Sequence, residues 1–175
     1  MPIPNRIQEI TEEINQLSPN TNVDLMAVTK YYSLEQIEEV LKSPCRLFGE
    51  SKVQNAIKKI EYFSKHKDII WHLIGHLQRN KVKKAVQYFD CIQSVDSLRL
   101  CEKINEEAAL INKRMPILLQ INIAKEEGKY GFLPEELFDL GGSSLTEFLD
   151  QDTHEFTDVL QTIFTMSSID IQGVM

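Results

Sequence analysis

Short apolar runs alternate along this chain with longer stretches whose apolar residues return every three or four positions. Ile3, Ile7, Ile10, Ile14 and Leu17 form one helical stripe, which Ser18-Pro19-Asn20 closes. LMAVT (25–29) predicts a first strand. Ser33 with Gln36 three residues on is a capping-box pattern, opening a helix that carries Leu34, Ile37, Val40 and Leu41. Ser43-Pro44 breaks that helix, CRLFG (45–49) predicts the second strand, and Ser51 with Gln54 repeats the capping pattern before Val53, Ile57 and Ile60. IIWHLIG (69–75) predicts the third strand, and a helix over 79–88 turns Val82, Ala85 and Val86 inward. CIQSV (91–95) is the fourth strand, after which Asp96 or Ser97 caps a helix with Leu98, Leu100, Cys101, Ile104, Ala108 and Ile111 on its apolar side. ILLQINI (117–123) and IDIQGVM (169–175) predict the fifth and sixth strands.

Strands alternating with helices imply a parallel α/β sheet with right-handed crossovers. Several strand-like runs stop at polar, reactive side chains: LMAVT at Lys30, WHLIG at His76, and LLQIN at AKEEGKYG. A (β/α)8 TIM-type barrel is built this way, because the carboxyl ends of its buried strands deliver polar groups to one rim. Residues 1–175 are therefore expected to form a single barrel domain. Such a barrel takes about 250 residues, and this chain reaches Met175 on an apolar strand that would leave a sheet edge unpaired. The expected barrel is truncated after about six strands and incomplete at its C-terminal side. GGSSLTEFLDQDTHE (141–155), acidic and rich in turn residues, is expected to be a surface loop or irregular insertion.

Composition narrows the functional classes. Hydrophobic residues make up 42% and charged residues 26%, the balance of an ordinary soluble globular protein. The net charge of −7 argues against nucleic-acid or anionic-membrane binding. No apolar run approaches the roughly 20 residues that span a bilayer, and MPIPNRIQEI has no signal or transit layout. Cys45, Cys91 and Cys101 are odd in number and lack paired spacing, so they are expected as buried structural thiols. His66, His72, His76 and His154 are scattered; His72 and His76 sit four apart, but on a strand running into Gly75 rather than on a helix, so no metal site is expected. The expectation is a reduced, cytoplasmic monomer.

Lys30 is the leading candidate for chemistry. A lysine amine, with a reference pKa near ~10.4, attacks an aldehyde only when desolvation or nearby positive charge frees its lone pair. The plainer reading is a solvated lysine at a strand end. WHLIGHLQRNK (71–81) is the most distinctive stretch, crowding His76, Gln78, Arg79, Asn80 and Lys81 at a helix start that favours anions. A helix cap with a solvated basic face would look the same. Phe48-Gly49-Glu50 and Ser94-Val95-Asp96 repeat the arrangement at strands two and four, while Phe48 and Trp71 read as core. EEGKYGF (126–132) offers Lys129 between two glycines, as a mobile rim element or an exposed turn.

VTK (28–30), FGES-KVQ (48–54), WHLIGHLQRNK (71–81), SVDSLRLCEKIN (94–105), LLQIN (118–122), EEGKYGF (126–132) and IQGVM (171–175) occur in order. Together they resemble the pyridoxal phosphate homeostasis protein family, whose barrel is similar to the N-terminal domain of alanine racemase. The resemblance implies a non-catalytic protein that holds pyridoxal 5′-phosphate as a Schiff base on the lysine matching Lys30. It implies buffering or delivery of the cofactor, with pyridoxal-phosphate-dependent client enzymes as partners. It also implies that Glu50, His76, Asn80, Ser94 and Asn122 lie near the cofactor pocket or support it. Departures are visible: Ser51 stands where the family usually has Asn, Tyr31-Tyr32 follow Lys30, the 141–155 stretch is atypical, and the last two strands, which carry the family's phosphate cradle, are absent. Two alternatives stay open. One is an amino-acid racemase-like enzyme on the same barrel, for which Tyr31, Tyr32 and Tyr130 are the available phenols. The other is a fragment that no longer binds the cofactor and acts through protein contacts.

Overall fold

A computed structural model describes residues 2–19, 21–139 and 156–175. The chain divides into two compact units, Met1–Ile74 and Gly75–Met175. The stretch 141–155 lies outside the described residues.

The first unit opens with helix α1 (Ile3–Leu17). Pro4 is tolerated there because first-turn N–H groups have no intrahelical partner. The expected stripe forms, with Ile7 buried, but Leu17 at its end is 76% exposed. Strand β1 (Met26–Val28) leads to α2 (Leu34–Leu41), β2 (Leu47–Glu50), α3 (Val53–Tyr62) and β3 (Ile70–Leu73). The capping box at α2 is present: Gln36 N–H donates to Ser33 Oγ at 3.4 Å, and Ser33 N–H donates to Gln36 Oε1 at 2.9 Å. Its expected repeat at α3 is not. Lys52 occupies the N-cap and makes no side-chain cap bond, because the helix starts one residue later than Ser51 requires. The three strands are parallel, pairing Met26 with Leu47 and Phe48 with Trp71. Phe48, Trp71 and Leu73 are buried, and the Phe48 and Trp71 rings pack with centroids 5.2 Å apart.

The second unit begins with a 3-10 turn (Arg79–Lys81) running into α4 (Val82–Tyr88), in place of one continuous helix over 79–88. Strand β4 (Cys91–Val95), α5 (Leu98–Leu110), β5 (Met115–Leu119), α6 (Pro134–Leu137), α7 (Asp158–Phe164) and β6 (Ile169–Val174) follow. β5 pairs in parallel with both β4 and β6, with a register shift in each ladder. Met115, Ile117 and Leu119 are buried, and so are Leu100, Cys101, Ile104 and Ala108 of α5. The strand lies earlier than ILLQINI suggests: it ends at Leu119, and beyond it only Ile121 makes an isolated bridge, to Phe132. α5 ends where Asn112 adopts a left-handed φ of 51°, a conformation asparagine tolerates. Lys113 Nζ then donates to the carbonyls of Val86 (2.9 Å) and Phe89 (2.7 Å), satisfying acceptors at the end of α4. Burial draws its ammonium below the ordinary lysine range.

Cys45, Cys91 and Cys101 are free and buried, as expected. Burial pushes the Cys91 thiol up to about 11 and the Cys101 thiol up to about 12. Among the described residues no helix is long and apolar enough to cross a membrane.

Candidate functional site

In the first unit the chemistry gathers just past the carboxyl ends of β1 and β2. Thr29, fully buried, has each of its polar groups engaged. Its N–H donates to the Gly49 carbonyl at 3.0 Å, and its Oγ1 donates to Glu50 Oε1 at 2.8 Å. Its carbonyl accepts from Tyr32 N–H at 2.9 Å and from Lys59 Nζ at 2.7 Å. Lys59 reaches down from α3 and also donates to Glu50 Oε1 at 2.7 Å, so Thr29, Glu50 and Lys59 close a buried triangle. Glu50 is 0% exposed. Its Oε1 belongs to this network, while its Oε2 is buried without a hydrogen-bond partner among the described residues.

The Tyr32-to-Thr29 bond closes a turn in which Lys30 and Tyr31 are the central residues. Lys30 is exposed, the plainer of the two readings of a lysine at a strand end. The setting is local: β1 ends at Val28, which is itself 46% exposed, and Lys30 stands in the turn beyond it. The Lys30 Nζ lies 5.3 Å from the Tyr31 ring centroid and makes no ion pair among the described residues.

In the second unit a different group assembles past β4 and β5. His76 Nδ1 lies 2.9 Å from Asp96 Oδ2, and the imidazole stacks on Tyr130 with centroids 3.6 Å apart and planes 12° apart. Asp96, expected as a possible helix cap, thus serves His76, and Ser97 takes the N-cap position of α5 without a side-chain cap bond. Ser94 is buried and its Oγ donates to the Gly75 carbonyl at 2.7 Å, fixing the backbone that carries His76. Asn122 clamps the following loop: its Nδ2 donates to the Glu126 carbonyl at 3.0 Å and its Oδ1 accepts Glu126 N–H at 3.2 Å. Within that loop Lys129 pairs with Glu126 at 2.6 Å. Lys125 pairs with Glu135 at 2.9 Å, and the Glu135 carboxyl is held below its usual range by a backbone hydrogen bond and by this partner. Gln120, Asn122, Lys129 and Tyr130 line a cleft of roughly 450 Å³. Asn80 is elsewhere, in a separate cleft with Arg79, Arg99, Glu102, Lys103 and Glu106.

His76, Ser94 and Asn122 therefore belong to one neighbourhood, and Asn80 does not share it. Sequence reasoning missed Thr29 and Lys59 altogether. A signal existed for Lys59, which falls three residues after the buried Ala56 and so lies on the inward stripe of α3.

Residues 4–147 match the family described as the alanine racemase N-terminal domain. A pyridoxal phosphate homeostasis protein of Pasteurella multocida is 36% identical over 135 residues, which is 76% of this chain and 58% of the relative. One from Synechocystis is 42% identical over 127 residues, covering 73% of this chain and 57% of its own length. The chain thus spans less than two thirds of the length of these curated relatives. The solved structure of PipY of Synechococcus elongatus, with PLP (pyridoxal 5′-phosphate) bound, matches at a TM-score of 0.69 and 30% identity, over 95% of this chain and 69% of that one. An alanine racemase of Clostridium difficile matches at 13% identity and a TM-score of 0.62, a likeness of fold alone. The fold class is α/β, that of the alanine racemase-like TIM-type barrel, of which the described residues contain six parallel strands.

Proposed function

The chain belongs to the alanine racemase N-terminal domain family and, within it, to the pyridoxal phosphate homeostasis proteins, and from that premise we propose that it binds pyridoxal 5′-phosphate through Lys30. The observation that carries the reading is the contrast at Lys30 itself: an exposed amine with no ion-pair partner among the described residues, set in a turn whose preceding residue is bonded at every polar group. Its exposure leaves the amine reachable by an aldehyde-bearing cofactor, and the likeness to the homeostasis proteins, rather than a desolvated setting, singles this lysine out. Lys30 would hold the cofactor through its amine as a Schiff base, with the cofactor supplying the aldehyde.

The remaining residues take supporting roles in this reading. Glu50 holds the turn from beneath, Ser94 fixes the Gly75 backbone, and Asn122 shapes the loop that carries Lys129 and Tyr130. The family resemblance, rather than the geometry, assigns His76 and Asn80 to the cofactor as well; Asn80 lines a cleft separate from the His76 neighbourhood. The protein then acts without catalysis, as a reservoir that exchanges the cofactor with dependent client enzymes in the cytoplasm. Relatives carrying the name of homeostasis proteins support a role other than catalysis.

The test is a visible-spectrum titration of residues 1–175 with pyridoxal 5′-phosphate, followed by borohydride reduction and peptide mapping. The expected result is an imine band and a reduced pyridoxyl group on Lys30, both lost in Lys30→Ala. An equal band in Lys30→Ala, or none in the folded parent, overturns the reading.

A further inference from the structure

We infer that Lys59 is the positioning residue for the Lys30 amine, acting through Glu50 and Thr29. The inference rests on the reading of Lys30 as the cofactor lysine and adds a residue that the reading itself does not require.

A lysine side chain is costly to bury, because its charge must be taken out of water and paired. Lys59 is largely buried nonetheless, with a side-chain exposure of 12% against 1% for Glu50. An apolar residue at this point of the α3 stripe would fill the space without that cost. What an apolar residue cannot do is donate, and both hydrogen bonds of Lys59 Nζ among the described residues end at the base of the Lys30 turn. One goes to the Thr29 carbonyl and one to the carboxylate oxygen that also accepts from Thr29 Oγ1. The Thr29 carbonyl, shared with Tyr32 N–H, uses both of its lone pairs. The peptide that launches Lys30 therefore cannot rotate without breaking charge-assisted bonds, while the amine at the tip makes no ion pair among the described residues. A fixed stem narrows the directions from which the amine meets a carbonyl, which is how orientation lowers a barrier.

The experiment compares the full chain with Lys59→Met and with the double variant Glu50→Leu/Lys59→Met, in which the buried pair is replaced by apolar side chains that leave no stranded charge. Two quantities are read: the rate of imine formation on Lys30 with pyridoxal 5′-phosphate, and amide hydrogen exchange at Tyr32, whose N–H bonds the Thr29 carbonyl. The folded double variant is expected to form the imine about tenfold more slowly or worse, with Tyr32 exchanging about tenfold faster. A folded double variant with the parent's imine rate and exchange overturns the inference. If the parent forms no imine on Lys30, the cofactor reading alone fails, and Tyr32 exchange still decides whether Lys59 holds the turn. If the double variant does not fold, Thr29→Val removes only the hydroxyl tie. Slower imine formation is then expected, and an unchanged rate overturns the inference.

Discussion

The two units finish their strands in opposite ways. Past β1 and β2, a threonine, a glutamate and a lysine are tied together in the dark, with Glu50 and Thr29 fully buried. Past β4 and β5, an imidazole lies flat on a tyrosine in partial contact with solvent, His76 with a side-chain exposure of 35% and Tyr130 at 55%. Removing one partner of a buried, charge-assisted group strands the other where water cannot reach it. Removing one ring of an exposed stack returns the other to water, which is a small change. The lesson is that the number of contacts at a strand end says little about its importance; the solvent replacing a lost contact decides.

The sharpest way to break this comparison is Lys59→Met. Chemical denaturation is expected to show a loss of about 3–5 kcal/mol, with most of it recovered when Glu50→Leu is added. A loss no larger than that of an exposed-site substitution would mean the triangle is looser than its distances imply. Next in size comes an alkaline effect in the second unit, which asks whether burial rather than location sets the scale. The Cys101 thiol is pushed up from 9.0 to about 12 by burial, so in that interval the folded state keeps a proton that the unfolded state has lost. Stability is therefore fully present below pH 9.0 and falls as pH rises toward about 12. Denaturation midpoints measured across that range should fall less steeply in Cys101→Ala than in the parent. The smallest effect belongs to the open stack: Tyr130→Ala is expected to cost about 0.5–1.5 kcal/mol. Tyr130→Phe, which keeps the ring, is expected to cost almost nothing, and a double-mutant cycle with His76→Ala isolates the stacking term.

Much of this architecture was readable from periodicity. Six strands and the main helices are where the alternation of apolar runs places them, since burial of one face repeats every two or every three to four residues. Boundaries suffered where a side chain had two plausible employers. Ser51 resembles Ser33 in its pattern with a following glutamine, yet the helix after it begins at Val53, and only Ser33 caps. Pro116 looks like a strand boundary but sits inside β5, opposite Asp170 of β6. The site was legible only in part. Lys30 and Glu50 stand at strand ends, which local pattern shows. The bonds from Thr29 to Glu50 and to Lys59 span 21 and 30 residues, and no local period encodes them. Whether Lys30 is exposed was open for a similar reason, because an apolar run before a lysine does not reveal what covers the turn that follows a short strand.

The loop clamped by Asn122 holds two glycines with very different freedom to drift. Both have left-handed φ values, 78° at Gly128 and 135° at Gly131. Gly128 has open space around it, and a left-handed φ of that kind is one that asparagine or aspartate visits at modest cost. At Gly131 a side chain would begin 2.8 Å from the Asn122 backbone nitrogen, against immovable main chain, in a backbone conformation that L residues rarely adopt. A library randomised at both positions should return glycine with asparagine and aspartate at the first and glycine nearly alone at the second. In mutational terms the loop is pinned at one side: its outer half admits a narrow exchange, and the half that brings Tyr130 back toward the strand admits none.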